Sequence, residues 1–139
     1  MNKLKKSVFI LFVSIFFIAC QDRTYTQRYN GKIKHINLSS IKLECPYLDI
    51  QGVVKEAFKN QKVTINKDSL YRIKVDYLNY TKQCNNPMTS SYDATYDGFI
   101  RLTLFKDRKK IYMCQKDYHG DLDVNVVEEL LDLMKDELE

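Results

Sequence analysis

Phe99-Ile100-Arg101-Leu102-Thr103-Leu104-Phe105, then Lys106-Asp107-Arg108-Lys109, then Lys110-Ile111-Tyr112-Met113-Cys114-Gln115-Lys116-Asp117-Tyr118 is the stretch that decides the fold. Each flanking run alternates with a period of two, the pattern of a strand with one buried face. The charged residues between them mark a turn. With Asp107-Arg108 as a two-residue loop, Leu104 faces Ile111 and Leu102 faces Met113, so both apolar sets share one side. A slip of one residue would mix the faces. On this register Cys114 points away from Met113.

Working outward, Leu70 to Tyr80 alternates Tyr71, Ile73, Val75 and Tyr77 against Arg72, Lys74 and Asp76, a half-buried strand. Val63-Thr64-Ile65 adds a short edge piece before it. A polar loop from Cys84 to Asp97 contains Pro87 and no apolar run. Upstream, Ile50, Val53, Val54, Ala57 and Phe58 form the stripe of an amphipathic helix. Lys32 to Leu38 reads as a first strand. At the other end, Asn125-Val126-Val127-Glu128 has the spacing of a capping box, followed by Val127, Leu130, Leu131, Met134 and Leu138 on one helical face. The expected fold is α+β: a small, mainly antiparallel sheet of about four strands with two helices packed on one face, in the order β-α-β-β-β-α.

The first twenty residues belong to a different kind of segment. Lys3, Lys5 and Lys6 precede an apolar run from Val8 to Ile18, closed by Phe17-Ile18-Ala19-Cys20. The run is shorter than the roughly 20 apolar residues a spanning helix needs, and its basic start and small-residue end are those of a cleaved export signal. It resembles the signal and lipobox of bacterial lipoproteins, with Phe17 where that pattern has an aliphatic residue. The resemblance implies that residues 1–19 are removed, that Cys20 is acylated, that residues 20–31 are a lipidated tether and that residues 32–139 form a single domain. Two or more acyl chains, at about 0.8 kcal/mol per buried methylene, anchor a protein stably. Gln21, rather than Asp, follows the cysteine. By the sorting rule of such lipoproteins this implies the outer membrane, with the domain facing the periplasm.

Charge then excludes one class of partner. The chain has 22 basic and 18 acidic residues, but three of the lysines lie in the signal. The remainder is nearly neutral, which gives no ground for nucleic-acid binding. Catalytic patterns are missing: no Gly-rich phosphate loop, no nucleophile elbow and no Cys-x-x-Cys zinc spacing. No enzyme activity, cofactor or metal is expected. Asp117, His119, Asp121, Asp123, Asn125 and Glu128 match the ligand spacing of a calcium loop, yet Leu122 occupies the position that needs glycine. The acids are expected to cap and complement the start of the last helix instead.

Beyond Cys20 the cysteines are Cys45, Cys84 and Cys114, an odd number for an oxidising compartment. If the first strand rises to Cys45, the helix descends and the next strand rises in parallel to Cys84, those two meet at one end of the domain. Cys45–Cys84 is therefore the expected disulfide, contributing about 4 kcal/mol in the chain-entropy model. Cys84–Cys114 and three free thiols are the alternatives.

The outward sheet face is the remaining functional clue. On the assumed register it collects Arg72, Lys74, Arg101, Lys110, Tyr112, Lys116 and Tyr118 with Phe99 and Phe105, many cations against Asp76 alone. Arg72, Lys74, Arg101, Tyr112 and Lys116 are the ligand-binding candidates, cations for phosphate or carboxylate and rings for sugar or acyl surface. In signal, size and element order the chain is similar to small envelope-assembly lipoproteins and to auxiliary lipoproteins of lipid-transport ABC systems. That similarity implies a non-catalytic accessory or binding module, with an envelope protein or an anionic glycolipid as partner. A surface or periplasmic inhibitor or adhesin is the alternative from another class, and a small hydrolase a third.

Overall fold

The computed structural model describes residues 23–29, 31, 35–80 and 96–139. Six strands and two helices are found there: β1 (Thr24–Arg28), β2 (Ser40–Glu44), α1 (Gln51–Asn60), β3 (Thr64–Ile65), β4 (Tyr71–Asn79), β5 (Gly98–Lys106), β6 (Lys109–Tyr118) and α2 (Val124–Leu138). The fold is α+β, and the sheet is mixed, in the order β1-β6-β5-β4-β2-β3. β4, β5, β6 and β1 are antiparallel neighbours, whereas β2 runs parallel to both β4 and β3. The parallel β2–β4 pair is the rise, descent and rise expected from the sequence.

Two strands differ from expectation. The first core strand is found at Ser40–Glu44; of the expected strand Lys32–Leu38, only residues 35–38 are among the described residues, and they form no ladder. Residues 35–38 are irregular but still bury Ile36 and Leu38, and the Ile36 N–H donates to the Leu138 carbonyl (2.8 Å). Their apolar residues serve the core through the end of α2 rather than through a ladder. The second difference is β1, which occupies part of the expected tether. Its residues are exposed and show no apolar alternation, so only the free edge of β6 calls it into the sheet.

The hairpin register is the main correction. Asp107 and Arg108 do form the turn, with Asp107 at φ +54° in the left-handed region. Lys106 pairs with Lys109 and Phe105 with Lys110, but a bulge then intervenes and Leu104 pairs with Tyr112, Leu102 with Cys114 and Ile100 with Lys116. A bulge sets two residues against one and shifts everything after it. Ile111 and Tyr112 are both buried as a result, at 1% and 0% exposure. From there Tyr112, Cys114, Lys116 and Tyr118 face inward, and Met113 and Gln115 face out.

The inner face, with Ile73, Val75, Ile100, Leu102, Leu104 and Cys114, forms one core with Val54, Ala57 and Phe58 of α1 and Val127, Leu130, Leu131 and Met134 of α2. The helices also meet each other, and the Lys135 Nζ donates to the Gln61 carbonyl (2.6 Å). α2 starts two residues earlier than the capping-box reading: Asp123 is its N-cap and accepts from the Asn125 N–H (3.2 Å). Glu128 instead accepts from the Asn60 side chain (2.7 Å).

Candidate functional site

The bulge separates the five expected ligand-binding residues into two sets. Tyr112 and Lys116 belong to the inner face: Tyr112 is fully buried, and Lys116, 6% exposed, is ion-paired with Glu129 of α2. Neither can meet a ligand on the outer face. Arg72, Lys74 and Arg101 are brought together there, since β4 and β5 pair Lys74 with Thr103 and Asp76 with Arg101.

Their charges are already engaged. Arg72 is ion-paired with Glu44 and lies 4.3 Å from the centre of the Phe105 ring. Lys74 reaches Asp76 at 3.0 Å, and that hydrogen bond raises the ammonium pKa. Arg101 holds Gln115 Oε1 through two nitrogens, at 3.0 and 2.7 Å, while Gln115 Nε2 donates to Asp117 (3.0 Å). An anion arriving on this face would have to displace Glu44 and Asp76 first. Pairing within the face also gives it more acid than the sequence register implied, because β2 and the end of β6 contribute Glu44 and Asp117.

A dense group of unpaired cations lies at the hairpin end of the sheet. Lys106, Arg108, Lys109 and Lys110 are all exposed, with Asp107 as the one acid among them, a local net charge of +3. None of these four cations is ion-paired with a carboxylate among the described residues. Two tyrosines flank them: the Lys106 ammonium stands 5.9 Å from the centre of the Tyr71 ring, and that of Lys110 stands 5.7 Å from Tyr29. The Tyr29 N–H donates to the Ile111 carbonyl (2.9 Å), which seats the ring beside the turn. Tyr29, Ile111 and the hairpin cations line an open groove of about 810 Å³. By contrast Arg28, next in the chain to Tyr29, is neutralised by Glu137 at 2.6 Å. The sequence signal for this site was four bases in five positions, easily read as nothing more than a solvated turn.

Cys45 and Cys114 carry free thiols; Cys84, the expected partner of Cys45, lies outside the described residues, as does Cys20. The inward turn of Cys114 comes from the bulge, and its Sγ donates to the Leu130 carbonyl (3.5 Å). Burial pushes that thiol up to about 12. Burial also raises Cys45, partly offset by the Tyr47 backbone. The calcium-loop spacing does not become a site: among the described residues no three acids, histidines or cysteines come together to hold a metal. No helix among them is long and apolar enough to cross a membrane.

Comparison with known proteins adds one partial likeness. No family model matches the chain. A calcium-dependent protein kinase 6 of Plasmodium berghei is 33% identical over 75 residues, 54% of this chain but 4% of the kinase. The chain thus spans only a small fraction of that relative's length, and the likeness shows no family.

Proposed function

We propose that the chain is a lipid-anchored envelope lipoprotein of the outer membrane. Its periplasm-facing domain acts as a non-catalytic binding module for an anionic partner, an envelope protein or an anionic glycolipid. The export signal and Cys20 support the anchoring. The observation that carries the binding role is the clustering of four exposed, unpaired cations beside two tyrosines at the hairpin. Arg28, Arg72, Lys74 and Lys116 each have a carboxylate partner, while Lys106, Arg108, Lys109 and Lys110 have none among the described residues. Exposed unpaired cations beside aromatic rings favour an anionic surface, chiefly through encounter rate and salt-sensitive attraction.

Two measurements test this. Mass spectrometry of the mature protein is expected to find a diacylglyceryl group on Cys20, and an unmodified thiol there would remove the anchor. Photo-cross-linking from position 108 in the native envelope should then capture a partner. Reversing Lys106, Arg108, Lys109 and Lys110 to Glu should reduce that capture at least about tenfold, or about 1.4 kcal/mol. Capture that survives the reversal, in a variant with an unchanged circular-dichroism spectrum, would reject the hairpin as the binding site.

A further inference from the structure

Among the described residues the sheet ends in β3 on one side and β1 on the other, and the two edges are protected unequally. β3 is only two residues long, too short to offer a neighbouring strand much of a ladder. β1 has five residues, Thr24–Arg28, all of them exposed, and contains no proline, lysine or bulge. Two bonds fix the direction of its backbone. The Asp117 N–H donates to the Arg23 carbonyl (3.0 Å), and the Tyr29 N–H donates to the Ile111 carbonyl (2.9 Å). Hydrogen-bonded pairs recur at every second residue of an antiparallel ladder, so Arg23, Tyr25, Gln27 and Tyr29 bond to β6. Thr24, Thr26 and Arg28 therefore aim their N–H and C=O groups away from β6, along the open edge.

The side chains along that edge complement themselves. Residues 23–29 hold two arginines and no acid. Tyr25 and Tyr29 leave large rings in water, at 46% and 42% exposure. Laid antiparallel on a second copy about Thr26, the strand sets Thr26 against Thr26 and Thr24 against Arg28. Its three outward residues then meet as hydrogen-bonded pairs, each exchanging two bonds. On the outer face Tyr25 stands opposite Gln27 and diagonal to Tyr25 of the second copy, within reach for aromatic side chains. Arg23 stands opposite Tyr29, a cation beside a ring. Each arginine thus meets an uncharged residue, whereas parallel pairing in register would set Arg28 against Arg28. The antiparallel arrangement also keeps the two cationic hairpins apart. Tyr29, beside each hairpin, lies about 20 Å along the strands from Tyr29 of the other copy.

We propose that β1 pairs antiparallel with β1 of a second copy of this chain, centred on Thr26, and joins two six-stranded sheets into one across a two-fold axis normal to the sheet. Such a closed, isologous contact consumes the backbone groups that would otherwise recruit further strands. A foreign strand would satisfy the same backbone, but the chain's own copy supplies Gln27 opposite Tyr25 and Tyr29 opposite Arg23 in a single register. The pairing does not depend on acylation of Cys20 or on the ligand of the hairpin. It carries two hairpins at opposite ends of one sheet, so an anionic partner long enough to touch both gains avidity.

Sedimentation equilibrium of the full chain in density-matched detergent should find a dimer that dissociates on dilution. Thr26→Pro removes an N–H that points away from β6, so it leaves that ladder whole. It should abolish the dimer up to about 100 μM while the circular-dichroism spectrum stays unchanged. Two double variants keep the test decisive should the proline disturb folding. Tyr25→Lys with Gln27→Glu sets opposite charges across the axis and should still dimerise. Tyr25→Lys with Gln27→Lys sets like charges there and should dissociate at least about tenfold more readily. A photo-cross-linking residue in place of Tyr25, in a mixture of heavy-isotope and unlabelled chains, should join the copies within residues 23–29. A chain that stays monomeric, a dimer that keeps its affinity in both Thr26→Pro and the double-lysine variant, or cross-links mapping outside residues 23–29 would overturn the pairing.

Discussion

Leu104 lies opposite Tyr112 across the β5–β6 ladder, not opposite Ile111. That single shift places the Tyr112 phenol in the core, where its buried hydroxyl has the Thr26 side chain of β1 nearby but makes no well-formed hydrogen bond. An unmet buried hydroxyl costs about 1–3 kcal/mol. Tyr112→Phe keeps the ring and removes the cost, so unfolding stability should rise by about 1 kcal/mol. Urea denaturation of wild type and variant decides the matter, and a loss of stability would mean that the hydroxyl is bonded after all.

The same inward turn makes the fold sensitive to alkali. Burial pushes the Cys114 thiol up to about 12 and raises the Tyr112 and Tyr118 phenols above their ordinary range. Each group stays protonated in the folded chain at pH values where the unfolded chain has released its proton. The folded state therefore binds more protons, and stability falls as pH rises, by up to about 1.4 kcal/mol per pH unit for each group. The decline should begin near pH 9, the thiol's ordinary range, and steepen beyond 10. Cys114→Ala should make the decline between pH 9 and 10 shallower, leaving the smaller share of the half-buried Cys45 thiol there and the phenols beyond pH 10. Denaturation midpoints between pH 7 and 11 measure this, and a flat profile would contradict it.

Thiol chemistry should separate the two described cysteines. Cys45 is half-buried, whereas Cys114 is fully buried and nearly all thiol at neutral pH. The thiolate is the reactive form. Iodoacetamide at pH 8 should modify Cys45 on the native fold and reach Cys114 only after denaturant is added. Peptide mapping before and after unfolding reads the result; native labelling of Cys114 would place it outside the core.

Two glycines should respond in opposite directions. A Cβ on Gly98 would collide with the Leu78 carbonyl and come within 2.7 Å of Tyr118 Cζ, both fixed by the sheet. Gly98→Ala should cost about 3 kcal/mol through overpacking. Gly52, inside α1, has nothing within 4 Å of its added Cβ. Gly52→Ala should stabilise by about 0.5–1 kcal/mol, the ordinary helix preference. Thermal melts of both variants check the signs, and equal shifts would show that local space does not govern them.

The sequence alone determined the elements whose periodicity is set by their own residues. The stripes of α1 and α2, the alternation of β4, the turn at Asp107-Arg108 and the short edge strand at Thr64–Ile65 were all legible, because each depends on which side chains must leave water. The parallel rise of β2 and β4 was also within reach, since a descending helix between them admits little else. Tertiary structure alone decided the rest. The bulge after Leu104 is a choice between two buried faces, since Ile111 and Tyr112 are both apolar enough to go inside, and only packing against α2 resolves it. β1 has no apolar pattern of its own and takes its conformation from the open edge of β6. Charge pairing across strands, such as Arg72 with Glu44, depends on which strands become neighbours. That neighbourhood, and not composition, moved the unpaired positive charge from the sheet face to the hairpin.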